Sequence, residues 1–156
     1  MLTSVPRGLV LDPDKDADTG ATNLAKAIQD AVAPDAATVL KDAGFVAGYQ
    51  RSWADADQVQ HDVVFLYQFA TPAGAARYVT SRVSELESVN SQQLSPFSVF
   101  IAGAVGLHNE TATSSFGVVV SPKGVYVVEA VSTDASALNQ SLNAVALANA
   151  QLQRLP

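Results

Sequence analysis

Two valine-rich segments separated by a short turn constrain the fold of this chain more than any other feature. They occupy Ser115 to Ser132 (SFGVVVSPKGVYVVEAVS), with Ser121-Pro122-Lys123-Gly124 between them. β-Branched residues in alternation are typical of strands, and proline followed closely by glycine marks a turn. Gly124 is expected to take a positive φ that closes a three-residue loop with a bulge. The segment therefore predicts a β-hairpin at the nucleus of a sheet.

The remaining patterns predict an α+β fold. β-Branched and aromatic residues predict further strands at residues 45–53, 62–70 and 97–102. Apolar residues at helical spacing predict two short helices, beginning after a Thr22 cap and at Asp35, and two long ones at residues 72–89 and 134–153. The last helix is expected to bury Leu138, Leu142, Val145 and Leu152, whereas residues 107–114 are interpreted as a polar connection.

The order of these elements predicts the architecture. Short strands that follow one another directly favour a mainly antiparallel sheet of about five or six strands, with the two long helices covering a face of it. We interpret residues 1–156 as one α+β domain, in which residues 1–20 form an extended, acidic lead-in.

Composition excludes several classes of function. With 48% apolar and 15% charged residues the chain can bury a core, but no apolar run is long enough to cross a bilayer. A net charge of −6 without any basic cluster argues against nucleic-acid binding. The absence of cysteine excludes disulfides and thiolate chemistry. We expect a monomer or a weak dimer and no cofactor.

Calcium binding and hydrolysis are the alternative hypotheses. The loop from Asp12 to Asp18 has aspartate at alternate positions, as an EF-hand does, but Ala17 replaces the required glycine and Asn23 the bidentate glutamate. A hydrolase would need His61 or His108 beside a nucleophile, and the sequence contains no Gly-x-Ser-x-Gly motif. We expect neither a metal site nor an enzyme.

Acidic and basic residues within the strands add one further expectation. Glu129 lies between Val127 and Val131 on one strand face, which makes it the acid with the most apolar setting. Arg51 is a candidate partner for Glu129 across the sheet. The alternative places Glu129 at an exposed edge.

Aromatic residues near strand ends are the candidate binding residues. A cleft between the sheet and the helices, lined by Trp53, Tyr49, Tyr67 and Phe97 with Arg51 beside them, would suit a small apolar or amphiphilic ligand. The alternative is that these rings belong to the core. For Trp53, next to an acidic loop, an exposed position at the mouth of such a cleft is an equal possibility.

Several phrases of the chain resemble small extracytoplasmic proteins and lipoproteins of actinobacteria. They are Phe69 to Tyr78 (FATPAGAARY), Gly103 to Leu107 (GAVGL), Tyr126 to Val131 (YVVEAV) and Ala148 to Pro156 (ANAQLQRLP). This resemblance implies a PsbP-like α+β sandwich that is not an enzyme. It also implies a secreted or membrane-tethered location, although no lipid-accepting cysteine or signal segment is present, so an anchor would have to precede Met1; a cytoplasmic location is the alternative. The function expected is a binding or scaffold module whose partner is an apolar ligand or a cell-envelope protein.

Overall fold

The sheet and its helices are described from a computed structural model, which covers residues 8–11, 19–31, 33–89, 94–135 and 140–156. Within these ranges the chain forms eight strands and four helices. The strands are β1 (Val10–Leu11), β2 (Gly20–Thr22), β3 (Phe45–Ala54), β4 (Gln60–Phe69), β5 (Ser95–Phe97), β6 (Val105–Glu110), β7 (Ser115–Lys123) and β8 (Tyr126–Asp134). The helices are α1 (Leu24–Asp30), α2 (Ala36–Asp42), α3 (Pro72–Val89) and α4 (Gln140–Leu152).

All strand pairs are antiparallel, in the order β1-β3-β4-β8-β7-β6-β5, and β2 pairs with β3 beside β1. The α+β class and the antiparallel sheet are therefore confirmed. The described strands number eight and exceed the predicted five or six, because the short strand β2 was not predicted and because β6 was interpreted as a polar connection. In β6, Val105 and Leu107 pack into the core on one face whereas His108 and Glu110 lie on the other, and that alternation is typical of a strand.

The predicted hairpin is present, with a tighter turn than expected. Lys123 pairs with Tyr126, so the loop contains two residues, Gly124 and Val125. Gly124 has a φ of 57°, the positive value predicted for it. Pro122 lies within β7 opposite Val127 instead of opening the turn.

Helices cover both faces of the sheet. α3, together with α1 and α2, packs on one face, and α4 packs on the other, chiefly against β7 and β8. The prediction that both long helices share a face is therefore wrong. The central strands β4 and β8 carry apolar residues at successive positions, so each face needs its own cover. We call the two sides the α3 face and the α4 face.

The α4 helix is rotated relative to the prediction. Leu142 is 70% exposed, and Leu138 lies outside the described residues. The buried stripe is Gln140, Ser141, Ala144, Leu147, Ala148 and Gln151. A Cβ atom on Gly117 would lie 2.8 Å from the backbone of Gln140, so α4 approaches the sheet at backbone distance. Small and polar residues face the sheet because this gap leaves no room for leucine at that end.

Local signals fix the helix ends. The Thr71 hydroxyl accepts a hydrogen bond from the backbone N–H of Gly74 at 3.0 Å, the predicted cap of α3. Asn23, rather than Thr22, caps α1 by accepting from the N–H of Lys26 at 3.0 Å. Asp35 precedes α2 but makes no capping hydrogen bond with its side chain.

Candidate functional site

The sheet separates the five residues predicted to line a common cleft. Trp53, Tyr49 and Arg51 alternate along β3 toward the α4 face, whereas Tyr67 in β4 packs toward the α3 face. Phe97 belongs to β5, at the opposite edge of the sheet from β3. The structure therefore brings Trp53, Tyr49 and Phe97 to the α4 face and places Tyr67 on the other face. A ligand role for the individual residues stays a prediction.

Trp53 lies in the hydrophobic core and not at a cleft mouth. Its side chain is 0% exposed and packs on the α4 face among residues that include Val64 and Leu147. The acidic turn after β3 begins two residues later, but alternation has already directed the indole inward. Trp53 is therefore inaccessible to a ligand approaching from solvent.

Glu129 pairs with Arg82 of α3, and the predicted pairing with Arg51 is wrong. Nε and Nη2 of Arg82 donate to the two carboxylate oxygens of Glu129 at 2.8 and 2.7 Å. Strand register explains the outcome, because Glu129 is opposite Phe65 and Phe65 is opposite Gln50. Arg51, the next residue along β3, therefore faces the other side of the sheet.

A cleft of about 430 Å³ lies between α3 and the segment that contains the end of α1 and the start of α2. One wall is apolar and includes Pro34, Val39 and Leu40, while α3 supplies hydroxyl and charged groups. Its volume falls within the range of small-molecule sites in proteins. The described residues that line it are Ala31, Ala33, Pro34, Asp35, Ala36, Val39, Leu40, Tyr78, Thr80, Ser81, Arg82, Ser84, Glu85 and Ser88.

Two buried tyrosines lie at the base of this cleft. Tyr78 lines the cleft and is only 4% exposed. The ring of Tyr67 contacts the ring of Tyr78 edge to face. Both rings border an adjoining space of about 10 Å³ next to Arg82 and Glu129. Neither hydroxyl makes a hydrogen bond to any residue that the structure describes. Burial, reinforced by the Glu129 charge, raises the pKa of both tyrosines, so both hydroxyls stay protonated. The Tyr78 hydroxyl beside the cleft is therefore a neutral hydrogen-bonding group and not an anion.

Glu85 gives the cleft an excess of negative charge. Its Oε1 accepts from Nη1 of Arg82 at 2.7 Å and from the N–H of Ala33 at 3.2 Å. Burial lowers the pKa of Arg82, but the attraction of Glu129 outweighs it and raises that pKa above its usual value. One guanidinium therefore faces two carboxylates, and Oε2 of Glu85 has no hydrogen bond among the described residues.

A second, more open groove of about 570 Å³ lies on the other side of α3, against β6 and β7. Its lining includes Val79, Val83, Val105 and Pro122. It is mainly apolar, in contrast to the cleft that contains the ion pair.

Among the described residues, the two histidines of the alternative hypotheses are not assembled into a site. The loop from Asp12 to Asp18 lies outside the described residues. Nε2 of His61 contacts the carbonyl oxygen of Gln58 at 3.1 Å, and Nδ1 of His108 lies 3.5 Å from Glu110, which shares its strand face as expected. Within the described ranges no three ligand-type side chains are grouped as a metal would require.

A buried polar network on the α4 face connects β4 and β8 to the start of α4. The Ser132 oxygen lies 2.5 Å from Oδ1 of Asp62 and 2.6 Å from Oε1 of Gln140, although serine has a single hydroxyl hydrogen. Gln140 donates its Nε2 to Asp134 at 3.2 Å, which fixes the orientation of its amide. Burial raises the pKa of Asp62, which favours a protonated carboxyl, and a protonated Asp62 would supply the second hydrogen.

A signal for the Arg82 site was available in the sequence. Positions 75, 78, 79, 82 and 86 lie on one face of α3, and Arg82 is the charged member of that otherwise apolar stripe. A charge on a core-facing stripe needs a buried partner, and Glu129 between valines is the matching anomaly.

Comparison with known proteins gives a fold but no family. No family model matches the chain, and no curated protein matches its sequence. None of the helices in the described ranges has the length and apolar character needed to cross a bilayer. The crystal structure of the extracellular domain of PknH from Mycobacterium tuberculosis is similar, with a TM-score of 0.58 and 11% identity over 94% of this chain and 83% of that one. The chain therefore shares its fold with an actinobacterial extracellular domain.

Proposed function

We propose that this protein is a non-catalytic extracytoplasmic module that binds a small ligand in the cleft between α3 and the α1–α2 segment. The observation that carries the proposal is the combination of a cleft of about 430 Å³, lined by Tyr78 and Glu85, with a Glu85 carboxylate whose Oε2 accepts no hydrogen bond from any described residue. A polar atom in a cleft that still has hydrogen-bonding capacity can bond to a ligand, and such a bond adds affinity.

The likeness to the extracellular domain of a mycobacterial kinase supports the extracytoplasmic part. It agrees with the resemblance of the sequence to actinobacterial envelope proteins. Protease treatment of intact and of permeabilised cells tests it, because an extracytoplasmic protein is digested in both. Protection in intact cells would contradict this location.

The arrangement of the histidines supports a non-catalytic role. Neither His61 nor His108 hydrogen-bonds a hydroxyl within the described ranges. Nucleophilic catalysis requires that contact to activate serine or threonine.

Ligand binding is tested by a thermal-shift screen with chemically diverse small compounds. A ligand at a hundred times its dissociation constant should stabilise the fold by about 2.7 kcal/mol, which corresponds to roughly 5–11 °C in a chain of this length. Ser81→Trp fills the cleft and should abolish the shift, whereas Asn149→Trp, on an exposed position of α4, should leave it unchanged. Shifts that survive Ser81→Trp would place binding elsewhere.

A protein partner is the second candidate, and Phe100 is the observation that favours it. This phenylalanine is fully exposed in the segment after the edge strand β5. Exposed aromatics are common anchors of protein interfaces. Phe100→Ser should weaken capture of a cell-envelope partner or self-association measured by analytical ultracentrifugation; unchanged behaviour in both assays would remove this candidate.

A further inference from the structure

Resting on the proposed binding role of the same cleft, we propose that the ligand carries a protonated amine, which binds the free carboxylate oxygen of Glu85 beside Tyr78. The inference names a ligand class, a small organic cation. The ligand class follows from which charged groups of the cleft already have partners and which of their atoms accept no hydrogen bond from a described residue.

Arg82 offers little to an anion. Its Nε, Nη1 and Nη2 each donate to a carboxylate oxygen at 2.7–2.8 Å. Both oxygens of Glu129 are occupied by this guanidinium. An incoming anion would have to displace a buried carboxylate and would meet the second one, Glu85, at short range.

Glu85, in contrast to Arg82, can still form a hydrogen bond with a ligand. Oε1 accepts from both Arg82 and the N–H of Ala33, while Oε2 accepts from no described residue although the side chain lines the cleft. A carboxylate can accept several hydrogen bonds, and a bond from a charged donor is the strongest kind available to it. Asp35, exposed at the rim, adds a further negative charge.

The remaining surfaces suit an amine with a short carbon skeleton. The aromatic ring of Tyr78 attracts a cation, and its unpaired hydroxyl can accept an N–H. The apolar wall, which includes Val39 and Leu40, offers contacts for methylene groups.

Calorimetric titration with three probes of equal length tests the ligand class: n-hexylamine, 1-hexanol and hexanoate. We expect saturable binding of the amine, with the alcohol and the carboxylate at least about tenfold weaker. Glu85→Gln keeps the size and the acceptor toward Arg82 but removes the charge, and should weaken the amine by at least about tenfold. Asp57→Asn removes an exposed acid outside the cleft and should leave affinity within about twofold.

The outcomes separate this inference from the proposed function. Equal affinity for the amine and the alcohol, or an unchanged affinity for the amine in Glu85→Gln, overturns the proposal that the ligand is an amine. If that binding is still abolished by Ser81→Trp, the cleft remains a binding site. If none of the three probes binds, but other compounds in the wider screen bind in a manner that Ser81→Trp abolishes, the amine is again wrong and the site stands. If no compound depends on the cleft, both proposals fail. Circular dichroism of each variant confirms that it is folded.

Discussion

Removing the Arg82 side chain should destabilise the fold far more than removing a comparable surface charge. Arg82 and Glu129 have side-chain exposures of 13% and 5%, and two hydrogen bonds of 2.7 and 2.8 Å join them. Deleting one partner of a buried pair leaves an uncompensated charge, which costs about 3–5 kcal/mol. Arg82→Met should therefore lower the free energy of unfolding by that amount and the Tm by roughly 6–20 °C.

The two partners should not be equivalent. Arg82→Met leaves two carboxylates, Glu129 and Glu85, without their shared cation. Glu129→Leu leaves Arg82 still paired with Glu85 at 2.7 Å, so its cost should be smaller. The double variant Arg82→Met/Glu129→Leu should recover part of the cost of Arg82→Met, because it removes the unpaired Glu129 carboxylate, but Glu85 still lacks its cation.

Urea denaturation of the parent, both single variants and the double variant gives the coupling free energy directly. The matched control is Lys26→Met, which breaks the more exposed Lys26–Asp30 pair of α1 and should cost about 1 kcal/mol or less. If Arg82→Met costs no more than Lys26→Met, water reaches the pair freely. The charge balance on which the amine proposal depends would then be wrong.

Three further predictions concern the α4 face. Asp62→Asn should flatten the pH dependence of stability. Burial raises the pKa of Asp62 above its usual value of 3.8, so the parent should lose stability as the pH rises from that value through the raised pKa, whereas asparagine donates to Ser132 at every pH. A parent curve identical to that of the variant would contradict the protonated network. Gly117→Ala should cost about 1–3 kcal/mol in urea denaturation, because the added Cβ meets the backbone of Gln140 at 2.8 Å, and a neutral result would mean that α4 can shift away. Trp53 fluorescence should be blue-shifted, resistant to iodide and unchanged by cleft ligands, because the sheet separates the indole from the cleft; quenching by iodide in the native state would refute its burial.

Local features of the fold were predictable from the sequence, whereas its long-range pairings were not. The β7–β8 hairpin and the Thr71 cap depend on residues close together in the chain, so pattern and turn chemistry sufficed. The Arg82–Glu129 pair joins residues 47 positions apart, and its geometry depends on the order of the strands. Nothing local indicates that β8 lies beside β4 instead of at an edge.

One small irregularity of β3 explains the position of Phe45. A bulge between Phe45 and Ala47 turns Phe45 to the α3 face, where it packs on Tyr67, while the residues after it alternate toward α4. The cleft was not predicted, because it lies between α3 and the α1–α2 segment, whereas the candidate binding residues were chosen near strand ends.

The pairing of β4 with β8 also has a consequence for how the chain reaches this structure. The strand β4 cannot pair with β8 until β8 has been synthesised. Gln68 of β4, for example, pairs with Tyr126, which lies about 58 residues later in the chain. At ribosomal speeds of roughly 5–20 residues per second, the β3–β4 hairpin would be complete about 3–12 s before β8 is synthesised. During that interval an apolar strand edge is open to other chains, and such an edge promotes aggregation. Closing the sheet at its centre is thus a late, non-local step, which favours slow folding and makes the nascent protein dependent on cover from α3 or from chaperones.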